Sequence, residues 1–333
     1  PGLRLPPNWT TAAAALEGIL AYLGQPLPRH AVMGLTGHAF HLAVASRPGV
    51  HVLPDGPVAL DWSAMVRNYS RTGSQWERFG GAIAPEDDPA PAREAAIAWS
   101  APHLDAGRPL IGWDFHLHEF AIVYGHDRAR QGFLVHSLSS PDLGPLAPWD
   151  EWPSTLGLVE LFAPIAPVEV DPDEAVAGAL ATAVAMLNGE PLSPAPRSRI
   201  GAGQPLERTV VSGAAAFDAW ADYFQGDDEV DRAGNAYTLA VLQAARTDAI
   251  SFIDDLAIAL PDLAGPLGQA RGAFSELTRA LAPLITLFPF PAGGHGNVAN
   301  PGLRRAAAMV LRRAAGIERR AGEALSEAAR LMG

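Results

Sequence analysis

Three short apolar runs set close together restrict this fold more than any other feature: Pro109 to Trp113, Glu119 to Tyr124 and Gly132 to Ser137. Each is rich in Ile, Val, Phe, Trp or Tyr and is bounded by Gly or Asp, the pattern of short buried strands. The turn-like Asp127-Arg-Ala-Arg-Gln131 makes a hairpin of the last two. Strands joined by so few residues pair antiparallel, because a parallel pair needs a crossover of a dozen residues or more. On this reading His118 starts a central strand, and the residues between the first two runs form a loop at the sheet edge.

Helices precede these strands. Ala12 to Leu23 carries Leu16, Ile19, Leu20 and Leu23 at i, i+3, i+4 and i+7 and stops at Gly24 and Pro26, which predicts a one-faced helix with Thr10 or Thr11 as its N-cap. Phe40 to Ala45 and Gln75 to Phe79 read as strands, Asp61 to Tyr69 and Ala92 to Asp105 as helices, and Gly157 to Phe162 as a last strand. Beyond Pro167 the pattern changes. Asp171-Pro-Asp-Glu174 is a strong helix start, residues 190–212 form a Pro/Gly-rich connection, and four helical segments follow from Gly213 to Leu331. The expected organisation is an α+β domain over 1–166 and an all-α domain over 167–333.

Composition excludes several chemistries. There is no cysteine, so disulfides, thiolate metal sites and thiol catalysis are ruled out, and all 24 basic residues are arginine, which rules out a lysine Schiff base. The net charge of −12 is shared evenly by the two halves, so nucleic acid is not an expected partner. No apolar run reaches the roughly 20 residues of a membrane span, and a cytoplasmic location is the expectation. Gly201-Ala-Gly203 lacks the strand and the spacing of a phosphate loop, so no cofactor is expected. His116 and His118, with His126 and His136 nearby, have no acidic partner at a recognised ligand spacing, and no metal site is expected. Asp114 and Glu119 flank the same loop as a possible acid/base pair whose geometry the sequence leaves open. Paired arginines at 304/305, 312/313 and 319/320 form a stripe read as a solvated face facing acidic loops.

A small polar residue at the head of a central helix, with a strand-borne histidine about a hundred residues later, is the layout of papain-like nucleophilic enzymes. Residues 8–45, Gly107-Arg-Pro-Leu-Ile-Gly-Trp113 and His118-Glu-Phe-Ala-Ile-Val-Tyr-Gly-His-Asp127 resemble the N-terminal domain of the butirosin-biosynthesis acyltransferase family. That family is itself similar to the double-glycine-leader, bacteriocin-processing cysteine peptidases of papain-like fold. Gly213 to Trp220, Gly234-Asn-Ala-Tyr237, Leu287-Phe-Pro-Phe290 and the last helix resemble the helical domain that accompanies it in uncharacterised bacterial proteins.

Carried over residue by residue, the resemblance implies a central helix packed on an antiparallel sheet, with His118 as the family's histidine. Its cysteine falls on Thr11, or on Thr10 if the register slips; Asn8 takes the oxyanion side, and the third member falls near His136 or Ser137. A threonine hydroxyl is a far weaker acid than a thiol, and an internal threonine lacks the α-amine that usually activates one. The first expectation is therefore a catalytically degenerate module binding a small peptide, amine or acyl-carrier ligand. The second is a working acyltransferase or amide hydrolase, which requires the Thr11 or Thr10 hydroxyl to sit within hydrogen-bond reach of His118. The third is a structural or assembly protein, dimeric through the helical domain. A cysteine placed at position 11 is expected to be reactive, since the helix end and a protonated His118 both favour thiolate.

Overall fold

The computed structural model describes residues 2–83, 87–139, 146–153, 158–192 and 208–332. In chain order the elements begin with α1 (Thr11–Tyr22), α2 (Arg29–Thr36), β1 (Ala43–Arg47), β2 (Val50–Leu53), α3 (Trp62–Tyr69), β3 (Ser74–Ala82), α4 (Ala90–Asp105), β4 (Leu110–Trp113), β5 (Phe120–Asp127), β6 (Gly132–His136), β7 (Leu146–Pro148) and β8 (Leu158–Pro167). Then come α5 (Pro172–Asn188), β9 (Thr209–Ser212), α6 (Ala214–Gln225), β10 (Glu229–Val230), α7 (Arg232–Ala259), α8 (Ala264–Leu287) and α9 (Pro301–Met332). The chain is thus mixed α and β with a helical C-terminal region. Among the described residues no helix is long and apolar enough to cross a membrane.

The described residues fall into two compact units. One holds residues 2–32 and 62–170, the other 33–61, 171–192 and 208–332. The upper boundary lies four residues beyond the expected 166. Residues 33–61, however, group with the C-terminal helices rather than with the N-terminal domain. The physical reason is a second sheet. β1 pairs antiparallel with β2 and with β9, and β10 adds in parallel to β2, so strands of the expected connection at 209–212 hold this segment. The Gly201-Ala-Gly203 stretch lies outside the described residues.

The first unit is built on a six-stranded sheet in the order β3-β8-β4-β5-β6-β7, with every pairing antiparallel. Side chains alternate across it. Leu110, Ala121, Val123, Val135, Val159, Leu161 and Ala163 share one buried cluster with Ala92, Ala96 and Leu104 of α4. On the opposite face, Phe120 and Phe162 pack against Trp62 of α3, and α1 lies on β5 and β4. Gly18 lets α1 come close: a Cβ there would press on the Arg4 carbonyl and on Ile122 Cδ1. Leu16, Ile19 and Leu20 are fully buried as the periodicity predicts, whereas Leu23 caps the helix end and is exposed. The Asp127 turn forms as expected, its carboxylate accepting the backbone N–H of Ala129 and Arg130 at 3.0 Å each.

In the second unit α9 packs on α5, α6 and α8. Asp171 and Asn300 cap their helices through side-chain oxygens, as their positions before Pro172 and Pro301 suggest. Four arginines of the α9 stripe pair with helices rather than loops, whereas Arg304 donates to the carbonyls of Tyr223, Phe224, Gly226 and Asp228. Arg312 and Arg319 reach Asp218 of α6, and Arg313 and Arg320 reach Glu276 of α8. Deep inside, Arg246 and Glu318 form an ion pair with no exposed surface, and Arg246 also donates to the Ala39 carbonyl at 2.6 Å.

Candidate functional site

The end of the β4–β5 hairpin organises the site. Trp113 and Phe120 make its last rung, and the chain between them is a closed loop rather than strand. His118 therefore sits on this loop and not on the central strand, two residues before β5 begins. The loop is pinned by Asp114 N–H donating to the Glu119 carbonyl at 3.0 Å and Glu119 N–H donating to Leu117 at 2.7 Å. Its sharp course puts two non-glycine residues in the left-handed region, Asp114 at φ 72° and His116 at φ 67°. Such conformations cost energy and persist only where surrounding structure holds them.

What holds them is Phe115. Gly112 has no side chain, and the Phe115 ring folds back over it: a Cβ on Gly112 would lie 2.5 Å from that ring. The ring stacks on Trp152 with centroids 5.1 Å apart and meets Phe133 edge-on. Trp152 is fixed in turn by its indole N–H, which donates to the Trp113 carbonyl at 2.8 Å. With Phe115 sunk into the core, His116, Leu117 and His118 are left on the surface.

His118 is oriented by Asp114. Its Nδ1 lies 2.7 Å from Asp114 Oδ1; the carboxylate side chain is 2% exposed and the imidazole 61%. A carboxylate oxygen accepts, so in the neutral imidazole Nδ1 is the nitrogen that carries the proton and Nε2 the one with the lone pair. Among the described residues Nε2 has no hydrogen-bond partner. The loop forms one wall of a cleft of about 270 Å³, and Ala147, Pro148, Glu151 and Trp152 form the other.

Thr11 lies beside this loop, but its hydroxyl is committed elsewhere. Thr10 is the N-cap without a side-chain cap bond, and Thr11 is the first residue of the helix, so neither hydroxyl caps it. Thr11 Oγ1 donates to Glu119 Oε2 at 2.6 Å and accepts the Phe120 backbone N–H at 3.0 Å. The head of α1 thus faces the start of β5, as the layout of the chain predicts. No hydrogen bond joins Thr11 or Thr10 to His118 among the described residues.

Among the described residues no hydrogen bond joins Asn8 or Ser137 to the imidazole. Asn8 Oδ1 accepts Thr10 N–H at 3.0 Å, and its Nδ2 is buried with no partner among the described residues. Ser137 is buried and shares a hydrogen bond with Ser139 Oγ at 2.9 Å; the orienting partner of His118 is Asp114 instead. Of the two loop carboxylates, Asp114 bonds His118 and Glu119 accepts from Thr11. His126 binds Asp105 at 2.7 Å. Among the described residues no group of three or more His, Asp or Glu side chains could hold a metal. The Asp114-x-x-x-His118 spacing was the signal for the dyad, but it works only because two left-handed residues turn the chain back.

No protein-family model matches the chain, and no curated protein matches it.

Proposed function

We propose that the sheet unit is a papain-like relative of the acyltransferase and peptidase group in which the nucleophile position has become a structural link. On this reading the chain performs no covalent turnover through Thr11 and binds a small peptide, amine or acyl-carrier ligand in the cleft beside His118. One observation carries it: the Thr11 hydroxyl spends its proton on Glu119 and a lone pair on Phe120 N–H, so it is neither directed to the imidazole nor free to attack. A helix head facing a hairpin with an Asp-oriented histidine supports the papain-like assignment. The reading as an assembly protein is weakened by the cleft at His118 and by α9, whose apolar residues are largely buried within its own unit. The test is covalent labelling. Incubation with β-lactone and fluorophosphonate probes should give no adduct on Thr11 by intact-mass and peptide analysis. An acylated or phosphonylated Thr11 peptide overturns the assignment.

A further inference from the structure

We propose that Asp114 and His118 form a general-base site that hydrolyses small acyl esters by direct attack of water, through a tetrahedral intermediate and with no acyl-enzyme. The proposal rests on the reading that Thr11 is a structural link.

Three independent features of the loop point to it. A buried carboxylate fixes the imidazole tautomer, so the nitrogen turned outward is the basic one. His118 lines a cleft, and its Nε2 is not consumed by any described partner. The loop that holds the dyad carries left-handed backbone at Asp114 and His116, anchored by Phe115 in the core, which keeps the geometry fixed without a substrate. A solvated surface histidine requires none of this machinery.

Since the Thr11 proton is engaged at Glu119, the proton that Nε2 accepts must come from water or from the bound molecule. In the step proposed, Nε2 takes a proton from water as the water oxygen bonds to the ester carbonyl carbon. The tetrahedral intermediate then collapses, the C–O bond to the alcohol breaks, and the leaving oxygen takes the proton back from Nε2. Ester and water become acid and alcohol, and the imidazole is regenerated. Of the side chains lining the cleft, Trp152 has its N–H committed to Trp113, so His116 is left to donate to the developing oxyanion. Asp114 acts through His118 and is a positioning residue.

Phenyl acetate is the probe, with phenol release followed at neutral pH. The wild type should turn over saturably, with a solvent deuterium isotope effect on kcat of about 2–3 and no burst. His118→Ala should lower kcat by about 100-fold or more, the scale of general-base catalysis. His118 is exposed, so this variant keeps the fold. Asp114→Asn should lower kcat with KM unchanged, a split that simple loosening of the cleft would not give; Asn tolerates the left-handed backbone at that position. His116→Ala should lower kcat about tenfold or more, and His295→Asn, an exposed histidine of the helical unit, should match wild type. Wild-type turnover no faster than buffer, or a His118→Ala rate within twofold of wild type, overturns the proposal and leaves the Thr11 reading intact. A one-equivalent phenol burst with the acetyl group on His118 also overturns it. An acetyl group on Thr11 overturns both.

Discussion

Replacing Thr11 by valine removes one oxygen from a buried position and almost nothing else. Valine fills the same volume, so the cavity cost that accompanies most core truncations is absent. Two hydrogen bonds go with the oxygen, the 2.6 Å bond to the Glu119 carboxylate and the 3.0 Å bond from Phe120 N–H. A hydrogen bond to a charged group contributes about 1.5–3 kcal/mol, and a buried N–H left unpaired costs about 1–3 kcal/mol. Solvent recovers part of this at Glu119, which is not fully buried, so the sheet unit should lose about 2–4 kcal/mol. Thr11→Ser keeps the hydroxyl and gives up one methyl, about 1 kcal/mol. Seven of the eight tryptophans lie in the sheet unit, all but Trp220, so urea titration followed by tryptophan fluorescence reads this unit selectively. A loss below about 0.5 kcal/mol for Thr11→Val, or equal losses for valine and serine, would refute the link between α1 and β5.

Three further outcomes follow from packing and charge. Leu20→Ala, at a fully buried site on α1, should cost the same unit about 2–5 kcal/mol in the fluorescence titration. Gly112→Ala should displace the Phe115 ring and cost about 1–3 kcal/mol, with faster amide exchange across residues 114–118; an unchanged exchange pattern would mean Phe115 does not anchor the loop. In the helical unit, burial lowers His38 to about 3, and burial with the Arg246 guanidinium lowers His41 to about 4, both from an unfolded value near 6.5. The unfolded chain therefore binds protons that the native unit refuses. Stability is at its full value above pH 6.5 and falls as pH drops toward 4, by roughly 1.4 kcal/mol per pH unit for each histidine. Urea midpoints from circular dichroism at pH 7, 6 and 5 check this, and His38→Gln should flatten the slope.

The sequence made legible what depends on local periodicity. The buried face of α1 through Leu20, the hairpin turn at Asp127 and the caps at Asp171 and Asn300 each follow from residues within one or two turns of one another. What it concealed depends on distant partners. The small sheet brings Ala43–Arg47 to Thr209–Ser212 across more than 160 positions, and nothing in either run marks the other. The same holds at the site. Thr11 has the composition of a helix cap, and only the placement of β5 diverts its hydroxyl to Glu119. His118 reads as the start of a strand because it directly precedes the apolar run Glu119 to Tyr124. The loop departs from strand because Gly112 admits Phe115 into the core, a fit between side-chain volumes that periodicity does not encode.

The Glu119 carboxylate also reverses an expectation about position 11. A helix N-terminus and a nearby imidazole would both favour a thiolate there, which argues for a reactive cysteine in a Thr11→Cys variant. In the folded chain the nearest charged group to the position-11 side-chain oxygen is a carboxylate at 2.6 Å, while His118 is turned to Asp114. A like charge at that range opposes ionisation, and its effect falls on the thiolate directly rather than through a screened dipole. The site is also 3% exposed, so desolvation acts in the same direction. Thr11→Cys should therefore react with iodoacetamide at neutral pH more slowly than a cysteine placed at exposed Ser139. Adding Glu119→Gln should speed it, by removing the charge while keeping a hydrogen-bond acceptor. With no native cysteine the measurement has no background. A Thr11→Cys thiol that alkylates faster than the surface control, and slows on His118→Ala, would mean the imidazole governs position 11. The structural link would then be the weaker description of this residue.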